Sequence, residues 1–266
     1  MRSNNPVLNR SASFNPRAGS QAGYAPQYQG RGFDPYAAPQ PVDRMTMDDV
    51  VTKTALTLGV VVLTAAASWF LVPPALVGVA WIGSAIAALV VSFLVIGRRG
   101  VRPGMVIAYA ALEGVFIGIF SSFLEGLFPG IVVQAVIATF VVAGLVLASY
   151  KIFNLNRFAN RISRGLFIAT GALAVVYLVN FVLSLFGVHT GLIGFGPQAG
   201  GLAFIVTAVA IVLATMNLLV DFAAIEDGVR NGAPADQSWV AAFGLTVTMV
   251  WLYTELLRLL SYFRSN

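Results

Sequence analysis

The chain has 266 residues, 58% of them hydrophobic and only 10% charged, where ordinary soluble domains carry about 25% charged residues. Its formal net charge of +5 comes from basic residues gathered in the N-terminal tail and in alternate loops, which is a topology signal and not a nucleic-acid surface. The absence of cysteine excludes disulfides, thiolate metal sites and cysteine nucleophiles, and a single histidine, His189, excludes multi-histidine metal sites.

Residues 1–49 read as a polar tail rich in Gly, Pro, Gln, Asn and Arg, with Tyr24, Tyr28, Phe33 and Tyr36 standing apart from one another. Such a segment cannot bury enough apolar surface to fold alone, so a disordered cytosolic tail is expected, with a partner-binding segment as the alternative. It lacks the charged start and apolar core of a signal peptide. Seven apolar runs follow: Val50 to Val72, Ala75 to Gly97, Met105 to Phe128, Ile131 to Tyr150, Gly165 to Phe186, Gly201 to Phe222 and Trp239 to Tyr262. Each is close to the roughly 20 residues that cross a bilayer core. Backbone groups in lipid must pair internally, so these runs are predicted to be helices. The fold class is therefore all-α: a polytopic membrane protein with a seven-helix domain over residues 50–263.

Loop charges set the predicted orientation. Arg2, Arg10, Arg17, Arg31 and Arg44 lie in the tail, Arg98, Arg99 and Arg102 in the second loop, Lys151, Arg157, Arg161 and Arg164 around the fourth, and Arg230 in the sixth. The first, third and fifth loops carry no Lys or Arg. The positive-inside rule then places the N-terminus in the cytosol and the C-terminus outside, against Arg258 and Arg264.

Ionisable residues inside such runs are functional candidates. Asp221 lies about 20 residues into run six, near the cytosolic face at ~1.5 Å per residue. Asn217 stands one turn earlier on the same side. The alternative for Asp221 is a boundary carboxylate that touches cytosol, and Glu226 and Asp227 read as solvated loop charges. Glu113 lies about two turns into run three, beside Gly114 and Gly118, whose spacing lets another helix approach closely. A carboxylate at such a seam is expected to be buried against protein, with either a functional or a helix-holding role. Glu255 sits toward the external end of run seven, three residues before Arg258, and an ion pair between them is the favoured reading. Glu125 ends run three at the interface. His189, in an uncharged external loop, is read as exposed, with a side chain able to sense pH.

Several enzyme classes fail on these residues, and no catalysis is expected. A retinal protein needs a lysine inside its last helix, which run seven lacks; an intramembrane serine protease needs a histidine in the membrane. Zinc hydrolases need more ligands than one histidine supplies. The glycines Gly194, Gly196, Gly200 and Gly201 follow no strand and form no dinucleotide motif.

Over residues 45 to 263 the chain resembles the Bax-inhibitor family, also called the transmembrane Bax inhibitor motif family, in its bacterial branch with a long polar N-terminal tail. The resemblance rests on the seven-helix count, Glu113-Gly114 with Gly118, Asp221 followed by Ile225-Glu226, and Trp239 leading to Leu252-Tyr253 and Leu256-Leu257-Arg258. The start Met1-Arg2-Ser3-Asn4-Asn5-Pro6-Val7-Leu8 is also similar to that branch. The resemblance implies a bundle with a central last helix. It implies a pH-sensitive calcium leak closed by two acidic residues near the cytosolic mouth, on helices six and seven. Asp221 matches the first acid. Alignment on Leu256-Leu257-Arg258 puts Thr248 at the second, so the acidic pair is incomplete, and Glu113 is offered as a replacement partner. Close carboxylates cannot both ionise cheaply; ionised, they would repel each other and offer oxygen ligands to a hard cation such as calcium, Asp221 foremost.

The expectation is thus a cation leak of a bacterial plasma membrane. The alternatives are a non-conducting regulator that binds membrane proteins such as a quality-control protease, and a proton-coupled transporter with Glu113 as the carrier. The lipid bilayer is the expected partner, and nucleic acid is not one. No cofactor is expected apart from a calcium ion.

Overall fold

A computed structural model describes residues 43–97, 102–188, 190–196 and 199–264. Most of the residues read as tail, together with His189, Arg98 and Arg99, lie outside them. Among the described residues seven helices are long and apolar enough to cross a membrane: α1 (Met47–Leu71), α2 (Val77–Gly97), α3 (Pro103–Leu127), α4 (Ile131–Phe153), α5 (Asn156–Leu185), α6 (Gly201–Arg230) and α7 (Gln237–Tyr262). They follow the seven apolar runs in order, so the chain is an all-α, multi-pass membrane protein.

Helix ends depart from run ends for a simple reason: apolarity marks the span, while hydrogen bonding marks the helix. Asn156 already opens α5, ahead of Gly165, and α6 continues to Arg230, beyond Phe222. These extensions meet at the end of the bundle where α1 begins. That end holds Lys151, Arg157, Arg161 and Arg230 and is called the basic end below. There Glu226 and Asp227 are helical and hydrogen-bonded, which corrects their reading as loop charges, while Asp227 keeps some contact with solvent. Tyr150 donates to Glu226 Oε2 at 2.5 Å. Asp227 accepts from Asn156 at 3.1 Å, Asn160 at 2.9 Å and Arg230 at 2.7 Å. An extended helix end has acceptors to offer, and the polar start of α5 supplies the donors.

Residues 43–49 also belong to the bundle and not to the tail. Thr46 caps α1 by accepting from Asp49 N at 3.1 Å, with Asp48 and Asp49 in the first turn, where the helix dipole favours acids. Just before it, Met45 N donates to Ala233 O at 2.7 Å and Ala235 N to Asp43 O at 2.8 Å. The entering segment is thereby pinned to the α6–α7 loop. The Met45 side chain is buried against Gly228.

The loop between α3 and α4 is fixed differently. Glu125, read as an interfacial end of its run, reaches across it: its carboxylate accepts from Gly130 N at 2.6 Å and Val132 N at 3.0 Å. It satisfies orphan donors at the start of α4, which Gly130 enters with φ +83°. Glu125→Ala should lower stability by about 1 kcal/mol, the usual worth of such a cap. Thermal unfolding in detergent reads this, with Glu125→Gln retaining part of the effect.

Packing is organised by α7, which meets α1, α3, α4 and α6. Lipid tails give no hydrophobic drive between helices, so close packing and hydroxyl bonds hold them. Thr57 and Thr246 are bonded at 2.7 Å, Ser121 and Tyr253 at 2.7 Å, and Thr207 and Tyr262 at 3.0 Å. The most extensive pair is α1 with α3. Its seam is the one expected at Gly114 and Gly118, where α1 lies against bare backbone. By contrast α2 and α5 form no packing interface with each other, and neither do α3 and α6.

Candidate functional site

The polar interior is arranged around α7, and different faces of that helix serve different carboxylates. Successive residues on a helix turn by about 100°, so Val247 and Thr248 point to different neighbours. Thr248 points to α6: its hydroxyl donates to Asp221 Oδ2 at 2.7 Å. Val247 and Phe243 instead line a cavity of about 340 Å³ with Glu113 and Tyr109 of α3 and with Ala85, Leu89 and Ser92 of α2. Glu113 and Asp221 stand at similar depth, each roughly 15 Å from the basic end of its helix at ~1.5 Å per residue.

Thr248 is therefore beside Asp221, at the position that the alignment gives it. Glu113 is not. It faces a different side of α7, and its helix forms no interface with α6. The replacement acidic pair of Glu113 with Asp221 is not formed, because α7 stands between them. Neither carboxylate has a basic partner: the ion pairs among the described residues are Asp227–Arg230 and Glu255–Arg258. Tyr109, one turn before Glu113, faces its carboxylate.

Asn217 shares its side of α6 with Asp221 but serves another contact. Its Nδ2 donates to Thr170 Oγ1 of α5 at 2.7 Å and to Leu213 O at 2.8 Å, which pins α5 to α6 one turn away. No group of three or more His, Cys, Asp or Glu side chains among the described residues forms a metal cluster. Asp221 with one hydroxyl falls well short of the roughly 6–8 oxygens that calcium takes.

Toward the end opposite the basic one, Glu255 and Arg258 form the expected pair, with Nη1 to Oε2 at 2.8 Å. Glu255 is 1% exposed. The pair is larger than the sequence suggests. Tyr177 of α5 donates to Glu255 Oε1 at 2.9 Å, Trp251 Nε1 donates to the same oxygen at 3.3 Å, and Arg258 Nη1 also donates to the Tyr177 hydroxyl at 3.2 Å. Tyr177 was missed by sequence reasoning. The available signal was a phenol in the middle of a mostly apolar run, which needs a hydrogen-bond partner.

This ion-paired group borders a larger cavity of about 670 Å³ between α2, α5 and α7. The cavity beside Glu113 shares Ala85, Leu89 and Phe116 with it, so the two are neighbours along one face of α7. That face carries Glu113's surroundings toward one end and the Glu255–Arg258 pair toward the other.

A family model described as Bax inhibitor 1 like matches residues 5–265, nearly the whole chain. No curated protein matches it.

Proposed function

The chain belongs to the Bax inhibitor 1 like family, and from that premise we propose that it lets cations, calcium foremost, leak across a bacterial plasma membrane with the basic end in the cytosol. The observation that carries this reading is the pairing of Asp221 with a neutral hydroxyl only. A carboxylate inside a membrane span is costly unless a counter-charge or a polar path supports it. Asp221 and Glu113 have no basic partner, while Glu255, a buried carboxylate that has one, lies toward the other end. Two uncompensated acids at one depth would draw cations toward α7.

In this reading the Thr248–Asp221 bond latches α6 to α7 in the resting state. With Asp221 protonated the latch joins neutral groups and is worth ~0.5–1.5 kcal/mol, so its loss should move an open–closed equilibrium about two- to tenfold. Thr248→Val keeps the shape and removes the donor. In liposomes that hold a calcium dye, it should raise basal flux by that factor. Asp221→Asn should lower flux and flatten its rise with pH, since a neutral side chain attracts no cation at any pH. Glu113→Gln should lower flux and leave part of the pH response to Asp221. Unchanged flux and pH response in Asp221→Asn would remove that residue from the mechanism. Absence of flux from the wild type would leave the non-conducting regulator as the reading.

A further inference from the structure

The cavity of about 670 Å³ has an unusual composition for a membrane bundle: apolar walls and an ionic floor. Its walls are broken sideways. Ile86 and Leu89 of α2, and Leu178 and Phe181 of α5, line it and are also exposed on the outside of the bundle. Because α2 and α5 form no packing interface, the opening between them faces acyl chains. What enters from there is a lipid and not a solute from water.

The floor specifies the head of that lipid. Arg258 is 9% exposed and lines the cavity. Its Nη1 is used twice, on Glu255 and on Tyr177. Its Nε is buried away from the cavity, whereas Nη2 is not among the enclosed unmet atoms and no described side chain or carbonyl accepts from it. A guanidinium presents five donors in a fixed fork, and leaving a buried one unmet is costly. Charge, in contrast, is already balanced. Glu255 neutralises Arg258, and each oxygen of Glu255 has a donor. The site therefore lacks an acceptor oxygen but not a negative charge, and adding an anion would place an unpaired charge in a low-dielectric pocket.

Depth agrees. Arg258 lies about one turn from the end of α7, a helix whose 26 residues outrun a hydrocarbon core of about 30 Å. The guanidinium thus stands at the edge of the hydrocarbon, the level at which acyl chains join their headgroups.

We propose that this cavity is a binding site for a bilayer acyl lipid with an uncharged head. The lipid's ester carbonyl accepts from Arg258 Nη2, and its chain runs between α2 and α5 toward Leu89 and Phe116. The assignment does not depend on ion passage. If the proposed leak operates, the lipid stands on the same face of α7 as the Glu113 cavity, beside the path.

The test uses the full chain in phosphatidylcholine nanodiscs with two photoreactive probes that share one diazirine-bearing chain, a monoacylglycerol and the corresponding fatty acid. After illumination, labelled peptides are mapped by mass spectrometry. The monoacylglycerol should label residues 81–89 and 177–184 above the lipid-facing Val133 and Ile137 of α4. Arg258→Lys keeps a cation beside Glu255 but removes the fork, and should weaken this labelling about tenfold, the factor of a 1.4 kcal/mol interaction. Ile86→Trp fills the mouth from an exposed position, leaves the floor intact, and should have a similar effect; it stands as the test if Arg258→Lys fails to fold. Labelling that is even over all lipid-facing helices and indifferent to Ile86→Trp would overturn the site. Stronger labelling of the same two segments by the ionised fatty acid would overturn the uncharged head.

Discussion

Glu255→Ala should be the most destabilising single substitution at the polar centre, lowering stability by about 3–5 kcal/mol, the range seen when one partner of a buried ion pair is removed. The reason is what remains. Arg258, itself almost wholly buried, would keep its charge with only the Tyr177 hydroxyl to accept from it, and Tyr177 and Trp251 would lose the oxygen to which both donate. Two companion variants divide the effect. Glu255→Gln leaves a carbonyl oxygen for Tyr177 or Trp251 and loses the charge alone, so it should fall between alanine and wild type. The double variant Glu255→Leu with Arg258→Met removes both charges and should recover most of the loss, because apolar replacements of whole buried pairs are often neutral. Thermal unfolding in detergent reads all three. A double variant no more stable than Glu255→Ala would show that the unpaired guanidinium is not the cause.

Gly118→Val should disrupt the bundle itself. A β-carbon at Gly118 would lie 2.1 Å from Ser68 Oγ, 2.2 Å from Ala65 O and 2.7 Å from Ala65 Cα. Ser68 could rotate away, but the backbone of Ala65 cannot. The whole of α1 would have to retreat from α3, its most extensive partner, and the Thr57–Thr246 and Ser68–Val115 contacts would be strained with it. Overpacking of this kind typically costs about 1–3 kcal/mol and more where backbone must move. Gly126→Ala, on the same helix with nothing within 4 Å of the added carbon, is the control. It should be neutral or stabilising by up to about 1 kcal/mol through helix propensity alone. Equal losses in both variants would show that the close approach of α1 is not what matters at Gly118.

The parts legible in the sequence are those that local rules govern. A hydrocarbon solvent forces uninterrupted apolar runs, so the seven spans could be counted from composition. Glycines four apart announced a close helix seam on α3, though not its partner α1, and a spacing of three announced the Glu255–Arg258 pair. What escaped was set by contacts between distant segments. Nothing around Tyr177 says that it will meet Glu255, 78 positions away. Nothing around Glu125 says that it turns back over the start of α4. The separation of Glu113 from Asp221 depends on which face of α7 each one meets. Depth along a helix can be counted from a sequence, but azimuth around a third helix cannot. The start of α5 and the end of α6 were read short because those terminal turns are polar, and polar helix looks like loop until its partners are known.

The short pairing of Asp43 and Met45 with Ala233 and Ala235 has a mechanical consequence. The hairpin formed by the last two helices is tied, at its turn, to the chain just ahead of the first. Swinging that turn outward means parting two main-chain links and drawing Met45 from its socket against Gly228. Force applied at Asp43 is delivered to the elbow between the helix that carries Asp221 and the helix that carries Thr248, so the front of the polypeptide serves as a lever on its final hairpin.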